Sequence, residues 1–316
     1  MNTCIYLGEA LAAYQFGEEH PFGPLRYGAF VDELQHRGLL QRLCQQAPQQ
    51  ANEAQLGWFH AHDYVARVQR QSKTGEGFLD YGDTPAFKGV YEAASAVVGS
   101  VLDAVERIVT GECSNAFVPI AGLHHARRGA AAGFCVFNDC GVAIEALRRE
   151  HGVQRIAYVD IDAHHGDGVY YAFAEDPELF IVDFHEDGRF LYPGSGDSSE
   201  TGSGAAKGSK LNIPMPPGAN DRVFADLWPA AEAFIRRARP EFVILQCGAD
   251  SLAGDPLTHL AYSPATHRMV AGRLRRIAAE YCGDRLLVLG GGGYLPENIA
   301  AAWCGVVEAL LAPDGE

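Results

Sequence analysis

The densest group of chemically active side chains lies in the segment 160–164 (DIDAH), directly after a short apolar run. In an extended strand, residues two apart point to the same side, so Asp160, Asp162 and His164 can face one another. With Asp250 from another strand, Asp162 and His164 would give three protein ligands and leave one position open, the arrangement of a catalytic zinc site. The alternative is that Asp160 and Asp162 cap turns while His164 packs in the core.

Two adjacent histidines, His124 and His125, could carry acid–base chemistry. Asp160 and Asp167 are the acids that could each accept a hydrogen bond from one ring, fixing its tautomer and raising the basicity of the free nitrogen. A histidine oriented in this way can take a proton from water and give it to a leaving amine. We expect the His165 ring to bond to neighbouring backbone. Other histidines are predicted to be structural or to line the site: His20, His60, His62 and His185.

Four glycines precede Tyr294 in the segment 290–294 (GGGGY). Glycines let the backbone pass close to a site, and a phenol held there could donate a hydrogen bond to a developing oxyanion. The segment has neither the Lys-Ser/Thr of a phosphate-binding loop nor the glycine pattern of a dinucleotide site. The alternative is a tyrosine packed under the edge of a sheet. Together, these groups predict hydrolysis of an amide by a metal-bound water, without a covalent enzyme intermediate.

Short apolar runs alternate with longer amphipathic segments, above all after residue 113. Apolar runs without polar alternation are typical of strands buried on both faces, which indicates a parallel sheet covered by helices. The predicted strands are residues 3–7, 115–120, 155–160, 179–185, 210–214, 242–248 and 285–289. The predicted helices are residues 89–110, 138–150, 221–238, 265–282 and 296–311.

The polar motifs fall at the ends of predicted strands. Ligands of open α/β sheets bind beyond the carboxyl ends of the strands, and burying ionisable groups there costs free energy unless they are paired or bind a cation. The sequence has no internal repeat and no linker, so we expect one catalytic domain over residues 1–316, with 194–209 as a surface loop.

The composition excludes several classes of protein. Hydrophobic residues make up 47% of the 316, which suits a folded core and excludes a disordered chain. Forty acids against 25 bases give a net charge of −15, so nucleic acid is a poor partner and a cationic partner a better one. No apolar stretch approaches the ~20 residues of a membrane span, and the N-terminal segment lacks an export signal. The eight cysteines form no C-x-x-C pair, and we expect reduced thiols in a cytoplasmic protein.

Six sequence blocks resemble the signature motifs of the zinc-dependent histone deacetylase superfamily in order and spacing. That superfamily includes acetylpolyamine amidohydrolases and acetoin-utilisation proteins. The blocks are GLHHA, GFCVFND, YVDIDAHHGDGV, LYPGSGD, LQCGADSLAGDPL and LGGGGY. The resemblance covers residues 20 to 311 and implies the arginase–deacetylase fold, a three-layer α/β/α architecture around a central, mostly parallel eight-stranded sheet.

The resemblance implies a role for each motif residue. The ligands of a single catalytic Zn²⁺ would be Asp162, His164 and Asp250. The general base and acid would be His125, backed by Asp167, beside His124, backed by Asp160. The catalytic tyrosine would be Tyr294, and its phenol favours activity towards acetyl-lysine. The substrate tunnel and its rim would be formed by Asp83, Gly133, Phe134, Tyr192 and Leu257.

Several positions refine what the resemblance implies. Asp183 replaces a serine that usually helps to bind a structural monovalent cation, which in this chain would be K⁺ held by Asp160, Asp162, His164 and Asp183. Tyr192 replaces the more usual phenylalanine and adds a hydroxyl to the tunnel wall, which would suit a more polar acyl group. Leu257 stands where a glutamate marks polyamine-selective relatives. Arg26 resembles the basic residue of an internal channel for acetate.

The leading hypothesis is a zinc amidohydrolase that removes acetyl or another short acyl group from a lysine side chain of a protein or peptide. The closest rival is a deacetylase of a small N-acetyl amine such as an acetylpolyamine. Two other classes stay open. A two-manganese ureohydrolase would need an acid where Gly166 stands, and a binding module without activity would hold acyl-lysine without cleaving it.

Overall fold

The computed structural model describes residues 2–313, and eight strands of this part form one sheet. The strands are β1 (Thr3–Tyr6), β2 (Cys44–Gln46), β3 (Asn115–Val118), β4 (Ile156–Asp160), β5 (Leu179–Glu186), β6 (Lys210–Met215), β7 (Phe242–Gln246) and β8 (Leu286–Leu289). They lie in the order β2-β1-β3-β8-β7-β4-β5-β6, and every neighbouring pair is parallel. The predicted α/β class is confirmed, and the sheet is parallel throughout.

Helices cover both faces of the sheet. They are α1 (Glu9–Ala12), α2 (Leu25–His36), α3 (Glu53–Leu56), α4 (His62–Thr74), α5 (Val90–Thr110), α6 (Asp139–Arg149), α7 (Asp167–Ala172), α8 (Asp221–Ala238), α9 (Pro264–Tyr281) and α10 (Pro296–Leu311). On one side, α5 packs over β3 and β8 and against α4 and α6. On the other side, α9 packs over β7 and β8, between α8 and α10, and α10 packs against α2. This is the three-layer arrangement that buries a parallel sheet on both faces.

All of the predicted elements are present, with their ends shifted by a few residues. The seven predicted strands and five predicted helices all form. The strand Cys44–Gln46 was not predicted because it is a short edge strand of mostly exposed polar residues, without an apolar run. The helices Leu25–His36 and His62–Thr74 were also not predicted, since they bury only a few side chains among many polar ones. Sequence patterns therefore identified the buried elements better than the peripheral ones.

Three further features concern a loop, the cysteines and the helices. The stretch 194–209 joins two adjacent strands of the same sheet. The eight cysteines are free thiols, and all except Cys44 are buried. None of the helices among residues 2–313 is long and apolar enough to cross a membrane.

Trp303 on α10 joins the helical layer to the end of the sheet. Its side chain is fully buried and packs against the rings of Phe30 and Phe117, with centroids 5.4 and 5.9 Å away. Its Nε1 donates a hydrogen bond to the backbone oxygen of Cys247 at 3.2 Å. Its ring also lies against Gly290, where an added Cβ would approach Cζ2 to 2.8 Å. Trp303 therefore supports the glycine segment that leads to the predicted catalytic tyrosine.

We expect Trp303→Ala to lower the free energy of unfolding by about 3–5 kcal/mol, because it leaves a large cavity behind the glycine segment. Equilibrium urea unfolding followed by circular dichroism measures this loss. Trp58→Ala is the matched control: Trp58 is only partly buried, so its loss should be less than half as large. Equal losses at the two positions would contradict the role given to Trp303.

Candidate active site

The chemically active residues gather where four neighbouring strands end. In the sheet, β3, β8, β7 and β4 are adjacent and parallel, so their carboxyl ends share one edge. The loops after these ends carry the predicted residues: His124, His125, Asp162, His164, Asp250 and Tyr294. One narrow cavity is lined by all of them except Asp250, which lies just beneath it against His164. The structure thus brings together residues that are up to 170 positions apart in the chain.

Two carboxylates and one imidazole form a compact group of possible metal ligands. Nδ1 of His164 lies 3.0 Å from Oδ1 of Asp162 and 3.1 Å from Oδ2 of Asp250. One donor atom from each of the three residues lies within 4.8 Å of the others, and all three side chains are buried. Two oxygen donors and one nitrogen donor suit a divalent zinc ion.

Backbone and amide groups hold the two carboxylates in place. Oδ2 of Asp162 accepts hydrogen bonds from Nε2 of Gln246 and the N–H of Gly292, both at 2.9 Å. Oδ1 of Asp250 accepts one from the N–H of Ala163 at 2.9 Å. Gln246 was not singled out from the sequence, although it ends the strand just before the motif that contains Asp250. These contacts orient the oxygens that are left for a metal.

The protonation of this group also favours a cation. Burial, together with the charge of Asp162, raises the pKa of Asp250 to about 7. Burial lowers the pKa of His164, but hydrogen bonds to Asp162 and Asp250 and their negative charges raise it to about 10. In the absence of a metal, the imidazole therefore acts as the cation between two buried acids. A divalent ion would replace the proton of His164 as the positive charge between the two acids, so these residues fit a metal centre.

The two adjacent histidines each contact one of the expected acids. Nδ1 of His124 lies 2.8 Å from Oδ2 of Asp160, and Nδ1 of His125 lies 2.7 Å from Oδ1 of Asp167. The two Nε2 atoms are 3.2 Å apart and face the cavity. Tyr158 also donates a hydrogen bond to Oδ2 of Asp160 at 2.7 Å. Each ring is thus held by its Nδ1, which leaves Nε2 for proton transfer.

The same residue type has opposite properties at these two positions. Burial lowers the pKa of His124, but the negative charges of Asp160 and Asp162 outweigh burial and raise it to about 10. Burial and the positive charge of His124 lower the pKa of His125 to about 4, despite Asp167. His124 is therefore charged and His125 neutral, which separates a charge-stabilising group from a base.

A pair of residues that the sequence analysis did not select holds the histidine loop. The Asp139 carboxylate accepts hydrogen bonds from the two backbone N–H groups before His124, at 2.8 and 3.0 Å. Nδ2 of Asn138 donates to the backbone oxygens of His124 and Ala126, and its Oδ1 caps α6. His60, predicted to be structural, accepts from the N–H of Asn138 at 2.9 Å. The sequence signals were an Asn-Asp pair at the start of a predicted helix and the place of this pair at the end of the block GFCVFND, to which no role had been given.

Tyr294 lies at the opening of the cavity. Its ring packs edge-on against Phe134, with centroids 5.8 Å apart, and its backbone N–H donates to Oδ2 of Asp255 at 2.8 Å. Burial and the nearby charges of Asp250 and Asp162 raise the pKa of the phenol well above its usual value. The phenol therefore keeps its proton and can act as a hydrogen-bond donor.

The predicted tunnel residues lie around the same opening. The Tyr192 ring lies 5.1 Å from the His125 ring, with Phe134 on the Tyr294 side. A Cβ at Gly133 would come within 2.5 Å of the His125 ring. Any residue other than glycine at this position would therefore displace the ring. The rim residue Asp83 is exposed.

Arg26 and Leu257 lie beside Tyr294. The Arg26 guanidinium is buried and donates from Nε and Nη2 to the backbone oxygens of Gly293 and Gly291, at 2.7 and 2.6 Å. Leu257 is partly buried and lines a second cavity with Tyr294 and Arg26. The Arg26 side chain thus holds Gly291 and Gly293 in place. These are the neighbours of Gly292, whose N–H donates to the predicted metal ligand Asp162.

Asp183 lies opposite Asp160 on the neighbouring strand, as the predicted cation site requires. Its Oδ1 lies 2.9 Å from Nδ1 of His185, and its Oδ2 accepts from the N–H of Gly166 at 2.9 Å. Both oxygens therefore have partners within the protein.

Nδ1 of the nearby His165 lies 2.9 Å from the hydroxyl of Ser195. The prediction that this ring bonds to neighbouring backbone is therefore wrong.

We expect Gly292→Ala to weaken binding of a divalent metal at least about tenfold, the range seen when groups that orient metal ligands are disturbed. An added Cβ would lie 2.1 Å from Oδ2 of Asp250 and 2.9 Å from Oδ2 of Asp162, so both carboxylates must move. Competition for Zn²⁺ with a chromophoric chelator measures the affinity. Gly272→Ala is the control, since its Cβ meets nothing within 4 Å. Unchanged affinity in the Gly292 variant would rule out this metal position.

Comparisons with known proteins agree with this geometry. The family model "Histone deacetylase domain" matches residues 20–310. The "Acetoin utilization protein AcuC" of Bacillus subtilis (strain 168) is 36% identical over 303 residues, covering 92% of this chain and 78% of that protein. "Histone deacetylase 19" of Arabidopsis thaliana is 35% identical over 312 residues, covering 96% of this chain and 61% of that protein.

A solved structure shows the same fold. The structure described as "Crystal Structure of HDA15 HD domain" superposes with a TM-score of 0.89 and 27% sequence identity, covering 100% of this chain and 89% of the other. The match spans the whole chain, which includes the eight-stranded parallel sheet described above. The chain therefore belongs to the histone deacetylase family.

Proposed function

We propose that the protein is a zinc-dependent deacetylase that removes acetyl or another short acyl group from the lysine side chain of a peptide or protein. The observation that carries this proposal is the meeting of three kinds of group at one buried cavity. These groups are the Asp-His-Asp ligand set, two histidines each backed by an acid, and a protonated phenol. Metal-assisted hydrolysis of an amide uses a Lewis acid, a base and an oxyanion donor: the ligand set would hold the first, and the histidines and the phenol would supply the other two.

The chain's own residues account for the movement of protons. A zinc ion held by Asp162, His164 and Asp250 would supply a Lewis acid and lower the pKa of water at the site. His125, which is neutral, takes the proton of the attacking water at Nε2 and later gives it to the leaving amine. His124 stays charged beside it and stabilises the negative charge that develops.

The substrate carbonyl is held from the other side of the cavity. The Tyr294 hydroxyl donates a hydrogen bond to the carbonyl oxygen as it becomes negative, which stabilises the tetrahedral state. Phe134 and Tyr192 flank the acyl-lysine stem, and the absence of a side chain at Gly133 leaves it room. The Tyr192 hydroxyl has no hydrogen-bond partner within residues 2–313, which suits an acyl group with a polar atom.

The rival substrate is a small N-acetyl amine such as an acetylpolyamine. Leu257 beside Tyr294 is apolar, so it offers no carboxylate for a second ammonium at that position. The name of the AcuC relatives refers to acetoin utilization, which leaves a small-molecule role as the alternative for this chain. We propose the lysine substrate first because the predicted rim residue Asp83 and the predicted tunnel wall Tyr192 are both exposed, where a peptide could reach them.

Three finer properties belong to the same proposal. We propose that residues 1–316 form one catalytic domain, which the single sheet supports. We propose a cytoplasmic location, since the free cysteines suit a reducing compartment. A structural K⁺ held by Asp160, Asp162, His164 and Asp183 stays a prediction, and such an ion would share the oxygens that His185 and Gly166 now contact.

The test of this function is a substrate panel. We expect hydrolysis of acetyl- and short-acyl-lysine peptides with higher kcat/KM than of N-acetylputrescine, measured by the release of free amine. Much faster turnover of the small amide would favour the rival substrate and contradict the proposal.

The substrate panel needs a variant that removes only the hydroxyl group of Tyr294 and keeps its ring. Tyr294→Phe should lower kcat by about 100-fold or more, because one donor to the oxyanion is lost. Tyr91→Phe, which removes a hydroxyl at the start of α5 from a residue that lines neither cavity, is the control and should keep normal activity. Substantial activity in the Tyr294 variant would contradict its role.

Metal removal is a separate prediction. Dialysis against a chelator should abolish activity, and one equivalent of Zn²⁺ per chain should restore it, because the described residues hold one group of three metal ligands. Asp250→Asn should prevent recovery. Two metal ions per chain would instead favour the two-metal ureohydrolase, and full activity without metal would contradict the zinc mechanism.

A further inference from the structure

A second cavity lies directly beside the proposed active site. Its volume is about 510 Å³, and it is formed by residues 18–21 and 23–26, the loop at 256–257, and Tyr294 and Pro296. Tyr294 lines both this cavity and the narrow one that contains the histidines. A group bound in the second cavity would therefore lie next to the substrate that the tyrosine contacts.

The lining of this cavity combines apolar surface with the buried Arg26 guanidinium, and two acids stand at its rim. Leu25 is 70% exposed and faces it together with Leu257 and several prolines. Glu18 and Glu19 stand on its rim, both exposed. Within residues 2–313, neither carboxylate has a hydrogen-bond or ion-pair partner. Two unpaired acids above an apolar wall match a side chain with an apolar stem and a cationic end.

The loop that carries the two acids is held in a fixed shape. The N–H of Phe16 donates to the backbone oxygen of Phe22 at 3.0 Å, and the N–H of His20 donates to that of Gly17 at 3.2 Å. Nδ1 of His20 accepts from the N–H of Phe22 at 3.0 Å. These bonds close the loop upon itself, so Glu18 and Glu19 project from an ordered turn.

The same loop is fastened to the tunnel. The His20 ring packs edge-on against the tunnel wall Phe134, with centroids 4.6 Å apart. Its Nε2 lies 3.2 Å from the backbone oxygen of the rim residue Asp83. The Asp83 carboxylate is also exposed and has no partner within residues 2–313. The acids on the loop therefore keep a constant position relative to the acyl-lysine stem, and this side of the rim is negatively charged.

We propose that this cavity binds the side chain of a lysine or arginine that neighbours the acylated lysine in a peptide substrate. The aliphatic stem packs against Leu25 and Leu257, and the cation contacts Glu18 and Glu19. The inference rests on the proposed deacetylase function and adds a preference for basic sequences to it. The acids that select a basic side chain, Glu18 and Glu19, come from the loop after α1. Leu257 therefore needs no charge and contacts the aliphatic stem of that side chain.

The experiment compares acetyl-lysine peptides that carry either arginine or glutamate directly before and after the modified residue. For the wild-type protein, kcat/KM should be about tenfold higher for the arginine peptide, the size expected of exposed charge pairs. In the double variant E18K/E19K this ratio should fall to one or below. The ratio should also decrease with added salt, because the groups are exposed.

The matched control is E175K/E178K, which makes the same change of net charge at the other end of the sheet. Both residues are exposed, and Glu178 directly precedes β5, so they lie at the amino ends of the strands. The control should keep the wild-type ratio. An equal loss in the two double variants would show a long-range effect of net charge and overturn the assignment to this cavity.

The remaining outcomes separate the two proposals. Equal hydrolysis of both peptides, unchanged in E18K/E19K, would overturn the subsite and leave the deacetylase function standing. No hydrolysis of any peptide by zinc-loaded protein would overturn the proposed function itself. If the variant instead reduces turnover only of an acetylated diamine, the occupant of the cavity is a small amine and the peptide assignment is wrong.

Discussion

The site depends on the burial of two like charges next to each other. Asp162 and Asp250 have almost no exposed surface, and one nitrogen of His164 lies between their oxygens. Such a pair is unfavourable unless it is neutralised, and burial with the charge of Asp162 raises the pKa of Asp250 to about 7. Backbone N–H groups and the Gln246 amide reduce part of this cost. A bound cation would remove most of the remaining cost of burying the two carboxylates. Metal binding therefore explains this arrangement better than a contribution to the stability of the fold does.

This charge also sets the properties of the histidines above it. Both rings have an aspartate at Nδ1, so their immediate contacts are alike. They differ because His124 faces the acids around Asp160 and Asp162, whereas His125 faces the charged ring of His124. The position relative to the buried carboxylates thus makes one histidine a cation and the other a base. Separating two pKa values in this way is how a site assigns different roles to identical residues.

Some supporting residues could be predicted from the sequence and others could not. Gly292 belongs to a conspicuous run of glycines, and a side chain there would collide with Asp250. Asn138 and Asp139 stood in the block GFCVFND at a predicted helix start, but that they bind the backbone of the histidine loop was not predicted. Gln246 looked like the end of a buried strand. The function of such residues depends on which loop they contact in the folded chain. The local sequence around a residue does not show which distant segment it will contact.

The sequence by itself determined the parallel sheet, the five longer helices that follow residue 89 and the identity of the reactive groups. It could do so because buried strands are continuous apolar runs and because ionisable residues stand out where those runs end. Only the tertiary structure decided which acid contacts which histidine, how far their pKa values separate, and that the turn with Glu18 and Glu19 borders a cavity next to Tyr294. Those properties arise from contacts between segments far apart in the chain, and burial and Coulomb forces act through space.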